Sequence, residues 1–313
     1  GKVFHVCNVL TSQEFTVKLS LVNNPASTLH HEYEIICKLQ GILSIPWVIS
    51  FRREPPYNVM ILKCLGPSLD KVFNSCHQSF SPHTIATIGQ QLIHQLESIH
   101  LCNFVHCDAK PSNILIGTGQ DASLLYLIDF SIAKQYRNPY MHLHNEFRNC
   151  GGFLGSHAFA SISSQLGFER GRQDDIESLA YILIYFSCSS LLWLGHLCLD
   201  SDAIVSMKKD VLQCDNIPQP LLTMLSYSQS LCFTQKLDYP YLQTLMEGIC
   251  MDLPLLSSQP KWVGNGSMLS ISMNDLPPLG CKRDQTARGQ EPATRRSSCQ
   301  RYLHFSMHVQ AWD

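Results

Sequence analysis

Val105-His106-Cys107-Asp108-Ala109-Lys110-Pro111-Ser112-Asn113-Ile114-Leu115 is the stretch that decides the fold, read together with Ile128-Asp129-Phe130-Ser131 downstream. The spacing is His-x-Asp-x-Lys, with Asn five residues after the Asp and a second Asp sixteen residues beyond the Asn. Each residue type has a chemical reason to stand there. A carboxylate at Asp108 can take or orient the proton of a hydroxyl group. Lys110 offers a positive charge beside it. Asn113 and Asp129 offer hard oxygen ligands of the kind Mg²⁺ prefers. These groups lie in short segments between apolar runs, which places them on loops held by packed strands.

Working outward, the first part of the chain predicts mostly sheet. Val3–Val9 and Phe15–Leu21 read as strands joined at Thr11-Ser12-Gln13. Ser27–Leu39 reads as a helix with Thr28 at its N-cap, and Pro46–Phe51 and Tyr57–Leu62 as two further strands. After Gly66-Pro67 the character changes. Ile85, Ile88, Leu92, Leu96 and Ile99 form one apolar stripe on a helix starting near Ser81-Pro82. Short strands are predicted at Ile114–Ile116 and Leu124–Ile128, then a long loop from Phe130 to about Ser164. A buried helix is predicted over Arg172–Ser187, and more helix over Ile217–Cys250. The result is an α+β chain of two lobes with a cleft between them: a β-rich lobe over residues 1–63 and a larger helical lobe over 64–252. Residues 253–313, rich in Ser, Pro and Gly, are expected to be a disordered tail. Its Lys282-Arg283 and Arg295-Arg296 pairs are read as solvated charges rather than as a targeting signal.

Composition narrows the class. In 313 residues, 45% are hydrophobic, enough for a large shared core. Net charge is −2, so neither nucleic acid nor an anionic membrane surface is drawn to the chain by charge. Fourteen cysteines without a Cys-x-x-Cys pair argue against zinc ribbons and point to a reduced, intracellular chain, in cytoplasm or nucleus. Ser178–Leu199 lacks any Asp, Glu, Lys or Arg and is long enough to span a bilayer. Ser187, Ser189, Ser190 and His196 in its second half make it a buried helix end followed by a loop.

Upstream of the central stretch, Phe15-Thr16-Val17-Lys18 sits on a strand, and Glu32 follows fourteen residues later on the next helix. That spacing suits a Lys–Glu ion pair directing Lys18 at phosphate oxygens. With the central stretch it resembles a protein kinase. Leu65-Gly66-Pro67-Ser68-Leu69, Ala133-Lys134-Gln135-Tyr136-Arg137, Gly167-Phe168-Glu169 and above all Arg172-Gln173-Asp174-Asp175-Ile176-Glu177-Ser178-Leu179 resemble the casein kinase 1 family of Ser/Thr protein kinases, over residues 1 to about 250.

The resemblance implies ATP and Mg²⁺ as cofactors and protein substrates, and a monomer without nucleic-acid or membrane partners. Asp108 and Lys110 are its catalytic pair, Asn113 and Asp129 its metal ligands, and Lys18 and Glu32 its phosphate-directing pair. By the same likeness Val3, Thr16, Leu115 and Ile128 line the adenine pocket with Leu62 as gatekeeper. The Lys63–Leu65 backbone binds the base, and Asp175 caps the catalytic loop. Departures are expected to weaken this pattern. Gly1-Lys2-Val3 matches only the end of the glycine-rich loop. Cys107 and Ser131 replace an Arg and a Gly, and Leu192 replaces a Pro. Ala158 replaces an Arg that contacts acidic or phosphorylated substrate residues, leaving Arg148 to keep part of that contact. The alternative expectation is a pseudokinase acting as a binding module.

Overall fold

A computed structural model describes residues 2–24, 28–153, 155–196, 200–249 and 310–311. The first lobe is an antiparallel sheet with one helix. Strands β1 (Lys2–Cys7), β2 (Glu14–Leu21), β3 (Val48–Glu54) and β4 (Tyr57–Lys63) stand in the order β3-β4-β2-β1, with helix α1 (Leu29–Leu39) between β2 and β3. Alternation along β2 explains its two faces. Phe15 and Val17 are buried with Val6 in a small cluster of their own, while Thr16 and Lys18 point the other way. The register sets Lys18 opposite Val3 on β1 and Met60 on β4. It also sets Thr16 opposite Leu62.

The second lobe is helical: α2 (Leu69–Ser75), α3 (Pro82–Leu101), α4 (Ile162–Gln165), α5 (Arg172–Cys188), α6 (Ser201–Asp210), α7 (Gln219–Ser230) and α8 (Tyr239–Gly248). Helix α3 begins as expected, with the Ser81 hydroxyl accepting from the Thr84 N–H. All five residues of its apolar stripe are buried. Short strands β5 (Phe104–Val105), β6 (Ile114–Ile116), β7 (Leu125–Leu127) and β8 (Lys134–Gln135) pair as β5-β8 and β6-β7 under the cleft. One continuous apolar core runs from Ile36 and Met60 in the first lobe through Ile88 and Ile182 to Met246 in the second. Both lobes therefore desolvate together.

Several expectations change. The segment read as one long loop from Phe130 to Ser164 contains β8 and the start of α4, because Lys134 and Gln135 find a partner strand 30 residues upstream. The further helix expected over Ile217–Cys250 is α7 and α8, separated at Leu231–Asp238. Thr28 sits at the N-cap of α1, but its hydroxyl caps nothing. Ser178–Leu199 splits where Ser189 turns left-handed (φ 60°) and ends α5. Beyond that turn Trp193 is buried, and its indole N–H donates to the Ala158 carbonyl. Among the described residues no helix is long and apolar enough to cross a membrane. The tail expectation for 253–313 lies outside the described residues, except that Gln310–Ala311 (β9) pair with Phe4 and His5 on β1.

Candidate active site

The cleft is assembled from four pieces: β2, α1, the loop between β5 and β6, and the turn after β7. Lys18 on β2 reaches across to α1, its ammonium 2.6 Å from Glu32 Oε1, with both side chains largely buried. Burial pushes the Glu32 carboxyl up and the Lys18 charge pulls it back only in part. Burial also raises Asp129, but there the Lys18 charge and the Ser131 hydroxyl outweigh it, so the carboxyl lies below the usual range. One ammonium therefore faces both carboxylates. Asp129 itself holds a left-handed backbone (φ 68°), a conformation that a non-glycine residue keeps only where surrounding contacts fix it.

Asp108 is held by three groups. Its Oδ2 accepts from Lys110 Nζ at 2.7 Å and Asn113 Nδ2 at 3.2 Å, and its Oδ1 accepts from the Ser156 N–H at 3.2 Å. Gly155, just before Ser156, holds φ +121°, a backbone conformation that side chains rarely adopt. Asn113 Nδ2 also donates to the Asp108 carbonyl at 3.0 Å. Its amide nitrogen is thus committed inward, and its oxygen is left to serve a ligand. The Ile128 N–H donates to the Asn113 carbonyl at 2.9 Å, tying the two metal-type residues into one unit. An amide oxygen and an ionised carboxylate form a donor set that fits Mg²⁺.

The remaining expected residues fall around this centre. Val3 and Thr16 share the Lys18 face of the sheet, and Leu62 pairs with Thr16. The chain after β4 is fastened to β6, with the Gly66 N–H donating to Ile116 O and the Ile116 N–H to Pro67 O. That brings Leu65 near β6, which carries Leu115, while Ile128 precedes Asp129. Leu65, Leu115 and Ile128 are half-buried, as a pocket lining requires.

Beneath the loop, α5 supplies the support. Asp175 Oδ2 accepts from the His106 N–H at 2.8 Å, and Oδ1 from the Cys107 N–H at 2.9 Å. It also accepts from His100 Nε2 at 2.9 Å. Burial alone would raise Asp175, but the His100 hydrogen bond and its companions hold the carboxyl below its usual range. Burial pushes His100 down; its Nε2 faces the Asp175 carboxylate, which can only accept, and its Nδ1 lies 2.6 Å from the Tyr239 hydroxyl. The His106 ring packs edge-on against Phe130, centroids 4.9 Å apart.

Some contacts lay beyond sequence reading. His31 Nε2 donates to the Ala133 carbonyl at 2.8 Å, linking α1 to the chain beyond Asp129. Lys208 is fully buried, its ammonium donating to the carbonyls of His157 and Ala160 and to Gln165 Oε1. Arg148, expected to keep part of an anion contact, donates its Nε–H to Glu169 Oε2 at 3.3 Å, beside Lys134, with its side chain 73% exposed. Nothing in the local pattern of those residues names their partners; each partner lies at least 21 residues away.

Two lobes, an Asn–Asp pair of metal-ligand type and a Lys–Glu pair joining sheet to helix are the parts a protein kinase domain brings together. A family model of the protein kinase domain matches residues 1–207, and the chain belongs to that family.

Proposed function

We propose that the chain is an ATP-dependent Ser/Thr protein kinase of the casein kinase 1 kind. The observation that carries this reading is the placement of Lys18: its ammonium sits 2.6 Å from Glu32, and its charge is the largest influence lowering the Asp129 carboxyl. A residue aimed at phosphates and a residue suited to a metal thus look into the same space.

Adenine would lie between Val3, Thr16 and Leu62 on one side and Leu115 and Ile128 on the other, bonded by the Lys63–Leu65 backbone. Lys18 would hold the α and β phosphates, oriented by Glu32. Asn113 and Asp129 would hold Mg²⁺, which when bound would supply positive charge to the phosphate oxygens. Asp108, fixed by Asn113 and the Ser156 N–H, orients the substrate hydroxyl and receives its proton. Lys110, already 2.7 Å from Asp108, offsets charge on the transferring phosphoryl group. Substrates would be proteins with acidic segments. Preference for already phosphorylated sites is weakened, because Ala158 carries no charge and Arg148 is engaged by Glu169.

Transfer of labelled phosphate from Mg-ATP to an acidic protein tests this. Asp108→Asn should lower the rate by about 10²–10⁴-fold. Equal signal from both proteins overturns the reading. A second reading, an impaired kinase fold that serves as a binding module, is favoured by one residue: Ser131, whose hydroxyl helps lower the Asp129 carboxyl and would compete there with a metal. Turnover that rises in Ser131→Gly from a near-zero wild type would support it.

A further inference from the structure

Outside the catalytic cleft, the helical lobe holds a cavity of about 630 Å³. Four segments wall it: the chain at 144–147, the start of α4, the first turns of α5, and the end of α7 with the loop after it. Glu177 lines it and is 3% exposed. Its Oε1 accepts from the Ile162 N–H at 3.0 Å, the Tyr181 hydroxyl at 2.7 Å and Gln229 Nε2 at 3.2 Å. Its Oε2 accepts from none of the described residues. Burial pushes this carboxyl up, and the bonds to Oε1 and the Lys208 charge offset that only in part.

Two amides in the cavity have oxygens free to accept, while the Arg172 guanidinium at its edge is held by His144 Nε2 and the Thr234 carbonyl. Gln229 spends its amide nitrogen on Glu177 and Tyr181, so its carbonyl oxygen is left as an acceptor. Gln173, 9% exposed, lines the cavity with an amide that makes no hydrogen bond among the described residues. The charged residues that line the cavity are Glu146 and Glu177, both acidic. Phe147 and Phe233 form a wall, ring centroids 5.3 Å apart, with His144 against Phe233 at 5.3 Å.

We propose that this cavity binds a guanidinium group, such as the side chain of an arginine. A planar cation with five donors matches one unpaired carboxylate oxygen and neighbouring amide oxygens better than a compact ammonium does. Its faces can lie against the aromatic wall, and Glu146 adds negative charge to the cavity. The site stands apart from the cleft, so it does not depend on phosphoryl transfer.

Calorimetric titration of the full chain with L-arginine amide, against L-citrulline amide as the neutral isostere, tests the proposal. Arginine amide should bind and citrulline amide should not. Glu177→Gln should weaken arginine amide by about tenfold or more, the scale of one charge-assisted hydrogen bond. Gln173 stands four residues before Glu177 on α5, so Gln173→Arg can lay its own guanidinium on the carboxylate. That variant should lose binding and melt higher than wild type. It also keeps the test open if Glu177→Gln does not fold. Equal binding of the two amides, or unchanged binding in Gln173→Arg, overturns the site. A blocked tripeptide with a central arginine is the last arm. Tighter binding than arginine amide assigns the group to a polypeptide, weaker binding to a free small molecule, and either ranking sustains the guanidinium site.

Discussion

The cleft and the foot of α5 use the same residue types to opposite ends. In the cleft, Lys18, Glu32 and Asp129 share one positive charge between two carboxylates, at a surface that a ligand can reach. At the foot of α5, Asp175 and His100 are each about 2% exposed and every acceptor is spoken for. The first arrangement is incomplete without more positive charge. The second is complete and positions the backbone that carries Asp108. Buried charge thus serves readiness in one place and rigidity in the other, and only partners tell them apart.

Substitutions can break that comparison. Asp175→Ala removes the acceptor for two backbone N–H groups and His100 and should cost about 3–5 kcal/mol, read from the urea midpoint. A loss under about 1 kcal/mol would mean the loop does not need its cap.

Asp174, one residue earlier, sharpens it. Burial pushes its carboxyl from 3.8 up to about 7, against bonds from the Gly171 N–H and the Ser161 hydroxyl. Between those values the native chain holds a proton that the unfolded chain has released. Stability from this group therefore falls as pH rises from about 4 to about 7 and levels off above. The advantage of wild type over Asp174→Asn should shrink across that window, on a scale of about 1.4 kcal/mol per pKa unit. An advantage that is flat or grows across the window contradicts the shift.

Lys18→Met should cost less, about 1–3 kcal/mol, because Glu32 is left buried without its partner. Adding Glu32→Gln should recover most of that, since a buried amide needs no counter-charge; denaturation of both variants gives the coupling. Smallest of all, Arg148→Ala should leave the melting temperature unchanged. Its side chain is 73% exposed, and Lys134 still holds Glu169.

Much of this was legible in the sequence, for a physical reason. Asp108, Lys110 and Asn113 are fixed by a loop so short that spacing nearly determines geometry. Lys18 and Glu32 are fixed by a strand and a helix whose periods are known. What escaped depends on distant partners. Asp174 and Asp175 look alike in sequence, yet one carboxyl is raised and the other lowered, because only Asp175 meets His100. Lys208 is inside, held by two carbonyls and an amide oxygen that nothing in its own segment announces. The β8 strand was missed because two residues carry no pattern, and their partner strand makes them a strand.

The bond from His31 to the Ala133 carbonyl has a pharmacological side. A compound wedged behind Lys18 that levered α1 outward would pull on this tether as well as on the Lys18–Glu32 pair. Its binding would be read at two distant probes together, as faster deuterium uptake around Ala133 and in the first turns of α1. A compound confined to the adenine end would leave both probes still. The tether so sorts inhibitors by binding mode without any measurement of turnover.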